Sequence, residues 1–172
     1  MKNVVRFDGT TLEVPDSEKL VQNSQANKFD NDKSIRVLLS KETLDTHKSL
    51  HFLRPFNTAQ GPAVDVSSIN DVNVEEFDPS KFQPSGEKLS EGSQFVVYTS
   101  KMMRGLRIVV NGNKRVVGYC NESKSLNSAD ECVLYGTNVS VSFSIRTLFC
   151  DLEHLDTVFY SISELLDSWR AK

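Results

Sequence analysis

Lys101, Arg104, Arg107, Lys114 and Arg115 place five positive charges in one short stretch with no acid among them. Clustered cations suit phosphates, because Lys and Arg neutralise the backbone charge of a nucleic acid while hydroxyls and aromatic rings touch its bases. Ser142, Ser144 and Arg146 alternate along a later stretch. One sheet face could collect Arg36, Arg107, Arg115, Arg146, Ser142 and Ser144, with Tyr98 or Tyr119 beside them. The same charges would equally solvate an edge hairpin and protect it from edge-to-edge pairing. Other chemistry is thin. His47 and His51 stand four apart without an HExxH pattern, and Gly105 and Gly112 lack phosphate-loop spacing. Cys150 and His154 could meet at a helix start, where a thiol pKa falls. The simpler expectation is that Cys150 packs beneath the helix as a small apolar residue. No close carboxylate pair in an apolar setting offers a general acid or base. The sequence therefore nominates no catalytic residue, no metal ligand and no cofactor, and the expectation is a protein that is not an enzyme.

The elements that must carry these residues follow from periodicity. From Asn138 to Phe149, Val139, Val141, Phe143, Ile145 and Phe149 alternate with Ser140, Ser142, Ser144 and Arg146. A period of two predicts a strand with one apolar face. Leu152, Leu155, Phe159, Ile162, Leu166 and Trp169 then recur at steps of three and four, with Val158 and Leu165 beside them, which predicts a long helix starting at Asp151. Upstream, Val4 to Val14 reads as a hairpin about Asp8-Gly9, and Phe95 to Tyr119 contains a hairpin about Asn111-Gly112-Asn113. Cys132 to Tyr135 starts the last strand or a separate one. Asp16 to Phe29 reads as polar and irregular, and could hold a short helix over Glu18 to Gln22. Ile35 to Phe56 reads as a second hairpin, with a helix over Lys41 to Leu53 as the competing reading.

The 172 residues suit a single domain with a loop-rich insertion at about 57–92, where seven acids face Lys81 and Lys88. Val64, Val66, Ile69, Val72 and Val74 could add one or two short edge strands there. Strands first and a helix last predict the α+β class: an antiparallel sheet built from hairpins, with the C-terminal helix on one face. No apolar run reaches membrane-spanning length, and the start has no signal-peptide pattern. Cys120, Cys132 and Cys150 follow no metal spacing. They are expected as free thiols in a reducing compartment, with a Cys120–Cys132 bridge across a hairpin as the alternative.

This order of elements resembles the coat proteins of single-stranded RNA bacteriophages. The residues that carry the resemblance are Val4 to Val14, Ile35 to Phe56, Asn138-Val-Ser-Val-Ser-Phe-Ser-Ile-Arg-Thr, and Asp151 to Trp169. The chain departs from that family in its 57–92 insertion and in having one C-terminal helix rather than two. The resemblance implies a virion coat protein in the virion or host cytoplasm that dimerises, assembles into a shell and binds genomic RNA. RNA would lie against Lys101, Arg104, Arg107, Lys114, Arg115, Ser142, Ser144 and Arg146. Leu155, Phe159, Ile162, Leu166 and Trp169 would form the homodimer interface. Two further readings stand beside it. One is a nucleic-acid-binding or regulatory module of another α+β fold using the Lys101 to Arg115 hairpin. The other is a protein-binding or inhibitor domain whose acidic insertion makes the contact.

Overall fold

The computed structural model describes residues 2–22, 34–57, 60–69, 75–87, 89–122 and 130–172. The chain begins with the expected hairpin, β1 (Lys2–Phe7) and β2 (Thr10–Pro15), which forms a separate two-stranded sheet. Gly9 closes its turn at φ +79°, a conformation that a side chain would strain. Leu12 and Val14 are fully buried.

Among the described residues the main sheet has ten strands, all paired antiparallel. They are β3 (Lys19–Gln22), β4 (Ser34–Leu38), β5 (Leu53–Arg54), β6 (Ala63–Ser68), β7 (Phe82–Pro84), β8 (Val96–Ser100), β9 (Leu106–Val110), β10 (Val116–Asn121), β11 (Glu131–Asn138) and β12 (Val141–Leu148). Their spatial order is β3-β4-β6-β12-β11-β10-β9-β8-β7, with β5 also pairing with β12. A C-terminal helix packs on this sheet, so the chain is α+β as its periodicities predict.

Several local expectations change. Residues 19–22 form a strand, not a helix. Glu18 turns inward, 3% exposed, and its carboxylate accepts the Ser40 N–H and hydroxyl at 2.7 Å each, together with the Thr43 hydroxyl. Ser40 and Thr43 lie at the start of α1 (Lys41–Thr46), which Ser40 also caps by accepting the Thr43 N–H. Anchored there, Lys19–Gln22 pairs along β4. The expected second hairpin is therefore broken by helix. α1 and a 3-10 turn over Lys48–Phe52 put Leu44 and Leu50 into the core, and only Leu53–Arg54 pairs as strand. The helical spacing that competed with the hairpin won, because it alone turns both leucines inward.

The 57–92 stretch holds a central strand. β6 lies between β4 and β12 with Ala63, Val64 and Val66 buried. Among the described residues of this stretch β7 lies at the sheet edge, while Val72 and Val74 fall outside the described residues.

The closing strand and helix behave largely as their periods require. Val141, Phe143 and Ile145 are buried on β12. Gly136 lies directly opposite Phe143, and a Cβ there would sit 2.3 Å from the Phe143 ring, so the glycine makes room for the aromatic. Val139, expected on the buried face, lies in the β11–β12 turn and is exposed. The helix begins later than Asp151. A 3-10 turn spans Phe149–His154, and α2 runs Leu155–Trp169 with no side-chain cap at its start.

The main core joins this sheet face, α2, the β1–β2 hairpin and the 3-10 turn at Lys48–Phe52. A smaller cluster of Ile108, Val110 and Val116 lies apart from it, packed against Phe77, Phe82 and Tyr98. Cys120 and Cys132 face each other across β10 and β11 and form a disulfide, so the expected free thiols reduce to Cys150.

Candidate protein-binding surfaces

The five cations of 101–115 do not form one patch. Lys101 and Arg104 sit in the loop before β9, whereas Lys114 and Arg115 sit in the turn after it. Five strand residues separate the two groups, about 17 Å at 3.4 Å per residue. Arg107 is held in place: its guanidinium lies 2.5 Å from Asp130 and 3.6 Å from the centre of the Phe149 ring. Arg115 faces Glu76 at 3.6 Å. In the turn, the Asn111 side chain accepts the N–H groups of Asn113 and Arg115 at 3.0 Å, and the left-handed position falls on Lys114, φ 59°, not on Gly112.

The polar side of β12 is likewise occupied. Ser142 is fully buried and bonds to Ser67 and Ser68. Arg146 pairs with Glu131 and donates to the Phe56 carbonyl at 3.0 Å. Arg36 forms a two-pronged pair with Asp65 at 2.7 and 2.9 Å and lies over the Phe56 ring, and hydrogen bonding to Asp65 raises its pKa. Ser144, half-buried, sits opposite Asp65 and Tyr135. These arginines already meet carboxylates of the chain, so phosphates would have to displace them. The face assigned to RNA is a cross-strand network of internal pairs.

The helix stripe is also consumed within the chain. Leu155, Ile162, Leu166 and Trp169 are between 0% and 4% exposed, and Phe159 packs edge-on against Phe95 and Phe143 at 5.0 and 5.3 Å. Polar contacts tie the same helix down. Ser161 bonds to Ser49 at 2.7 Å, His154 stacks on Phe52 at 4.0 Å, and Asn138 donates to the Ser163 carbonyl while accepting from Arg170.

The suspected reactive groups do not assemble. Cys150 is exposed rather than packed beneath the helix, and its nearest polar contact is Asp151 at 3.9 Å, not His154. His51 lies 3.6 Å from Asp45 and away from any cluster: among the described residues, no group of three His, Cys, Asp or Glu could hold a metal ion. Among the described residues, Tyr119 is the strongly shifted group. Burial first, then its 2.7 Å hydrogen bond to Glu75, push the phenol up to about 12.

Two surface features were missed in the sequence. The first is a cleft of about 630 Å³ between the β9–β10 turn, β11 and α2. Phe95, Val117, Phe143 and Phe159 contribute its apolar lining, with Asn111, Arg115, Tyr135, Asp156 and Tyr160 among its polar groups. Asp156 is engaged with the Ser93 hydroxyl at 2.5 Å and the Gln94 N–H at 3.1 Å. No local signal announces this cleft, since its walls come from five separate stretches. The second is the β8–β9 loop, where Met102 is 87% and Met103 61% exposed. Adjacent methionines between Lys101 and Arg104 are a signal legible in the sequence.

No protein-family model matches the chain, and no curated protein matches it. Among solved structures, the fold is similar to an immunity protein of the Stenotrophomonas maltophilia type IV secretion system. The identity is 10% and the TM-score 0.51, over 99% of this chain and 94% of that one. At such identity the likeness establishes fold alone. It overturns the resemblance to RNA-phage coat proteins, and with it the virion, capsid and genomic-RNA readings. The coat resemblance rested on element order, which does not specify how strands pair. Here β6 enters the middle of the sheet, and the arginines of the supposed RNA face are paired internally. Among the described residues, no helix is long and apolar enough to cross a membrane.

Proposed function

We propose that this chain is a protein-binding inhibitor of the immunity type, which captures a toxic effector protein and blocks it without doing chemistry of its own. The observation that carries the reading is the end-to-end likeness to a secretion-system immunity protein, which takes in nearly the whole of both chains. The surface supports it. Arg36 and Arg146 on the sheet are paired with carboxylates of the same chain, whereas side chains such as Met102, Met103 and Tyr160 stand in solvent. The Cys120–Cys132 bridge favours a compartment in which disulfides persist, as an inhibitor of a secreted toxin would meet.

The experiment has two halves. The tagged chain is isolated from its native cells, and any protein that co-purifies is identified and reconstituted with it from pure components. Recipient cells with and without the chain are then challenged by an attacker that is either competent or deficient in secretion. The expected result is a stoichiometric complex and a survival advantage that appears only against the competent attacker. A chain that elutes alone and protects no recipient refutes the proposal.

A further inference from the structure

The protein-binding reading leaves open where the partner docks, and the loop joining β8 to β9 carries an answer that rests on that reading. Met102 and Met103 stand 87% and 61% exposed at its outer edge. Their exposure does not come from a slack backbone. The Ser100 hydroxyl accepts the N–H groups of both, at 3.2 and 2.9 Å. The Lys101 N–H donates to the Lys81 carbonyl at 3.0 Å on one flank, and the Glu122 N–H donates to the Gly105 carbonyl at 3.1 Å on the other. The Leu106 N–H reaches the Met103 carbonyl at 3.3 Å, and Gly105 closes the loop at φ +80° with the Glu122 side chain against it. A loop secured at its centre and both flanks presents its side chains from an ordered backbone, so binding has only their rotamers left to fix.

The charges complete the pattern. The Lys101 and Arg104 side chains have no ion-pair or hydrogen-bond partner among the described residues. Lys81 lies beside Lys101 and is 3.8 Å from Asp78, and Glu122 is the acid at the far flank. Arg36, Arg107 and Arg146 are matched by carboxylates, whereas among the described residues Lys101 and Arg104 are not, and these two directly flank the exposed methionines. Methionine adapts its shape to irregular apolar pockets and makes favourable contacts with aromatic rings. We propose that Lys101–Arg104 is the docking element, entering an apolar depression rimmed by carboxylates on a folded protein partner. A membrane is less well matched, because two side chains and a few cations make one weak anchor where stable attachment needs two. Single-stranded nucleic acid is less well matched because the loop tip has no aromatic ring for bases to stack on.

The test uses the full chain as bait and a displayed library of random peptides as probe. Enriched peptides are expected to carry Asp or Glu around an aromatic or aliphatic centre. Their affinity should fall at least about tenfold when Met102→Ser and Met103→Ser are combined. It should lose its salt dependence when Lys101→Glu and Arg104→Glu are combined. Val96→Ser, at another exposed apolar position, should leave it unchanged. Circular dichroism of each variant checks that the fold is intact. Peptides that bind the methionine double variant as well as the parent overturn the loop proposal and leave the protein-binding reading standing. A library that enriches nothing on any surface overturns the loop proposal, and the protein-binding reading is then decided by the complex isolated from native cells. Loop-dependent binding to phosphatidylglycerol vesicles or to single-stranded RNA, with no loop-dependent peptide, also overturns the proposal.

Discussion

Ile162→Ala tests whether the α2 stripe belongs to the fold of one chain or to an interface between two. Ile162 is completely buried within a single chain, among the residues of the main core. The substitution removes three carbons, and at about 0.8 kcal/mol each the lost transfer energy is about 2.4 kcal/mol. A residual cavity beneath a helix pinned by Ser161–Ser49 and Asn138–Ser163 cannot fully collapse, which brings the total to about 3–4 kcal/mol. For a chain of this size that is a fall in Tm of about 10 °C. Urea and thermal unfolding followed by circular dichroism measure both, repeated over an about fiftyfold range of protein concentration. The expected midpoint is independent of concentration for parent and variant alike. A loss under about 1 kcal/mol would show that the stripe is not core. A midpoint that climbs with concentration would show that a second copy contributes to folding.

Three further predictions follow from polar and covalent features. Glu18→Ala leaves the Ser40 N–H and the hydroxyls of Ser17, Ser40 and Thr43 without their shared buried acceptor, and should cost about 2–3 kcal/mol in urea unfolding; an unchanged midpoint would deny Glu18 its anchoring role. Tyr119 should ionise near pH 12 in an ultraviolet absorbance titration, and Glu75→Gln should bring it down. Because its folded pKa is raised, the Tyr119 contribution to stability is intact below pH 10 and is lost as pH rises towards 12; ionisation at the ordinary value would refute the Glu75 contact. Removing the bridge with Cys120→Ala and Cys132→Ala should lower stability by about 2–4 kcal/mol, and reductant should lower the parent but not the variant; equal sensitivity of both would place the effect elsewhere.

Much of the architecture is local and therefore readable from the chain alone. Alternation in 141–148, the three-and-four spacing of Leu155 to Trp169, and the turns at Asp8-Gly9 and Asn111-Gly112 each depend on near neighbours, so the α+β class and two hairpins followed directly. Misreadings began where an element depends on a distant partner. Residues 19–22 are extended because Glu18 is tied to Ser40, and β6 is central because β4 and β12 flank it. Neither partner can be located from spacing.

The functional surface divides in the same way. Residue types by themselves located the cations, the serines and the apolar stripe, and composition determined that charge is sorted along the chain. Only the tertiary structure decided which of them remain available. Burial and pairing act through space: Arg36, Arg107 and Arg146 met carboxylates and the helix stripe met its own sheet. The side chains of Lys101, Met102, Met103 and Arg104 stay in solvent, on a loop whose backbone is tied to Lys81, Ser100 and Glu122.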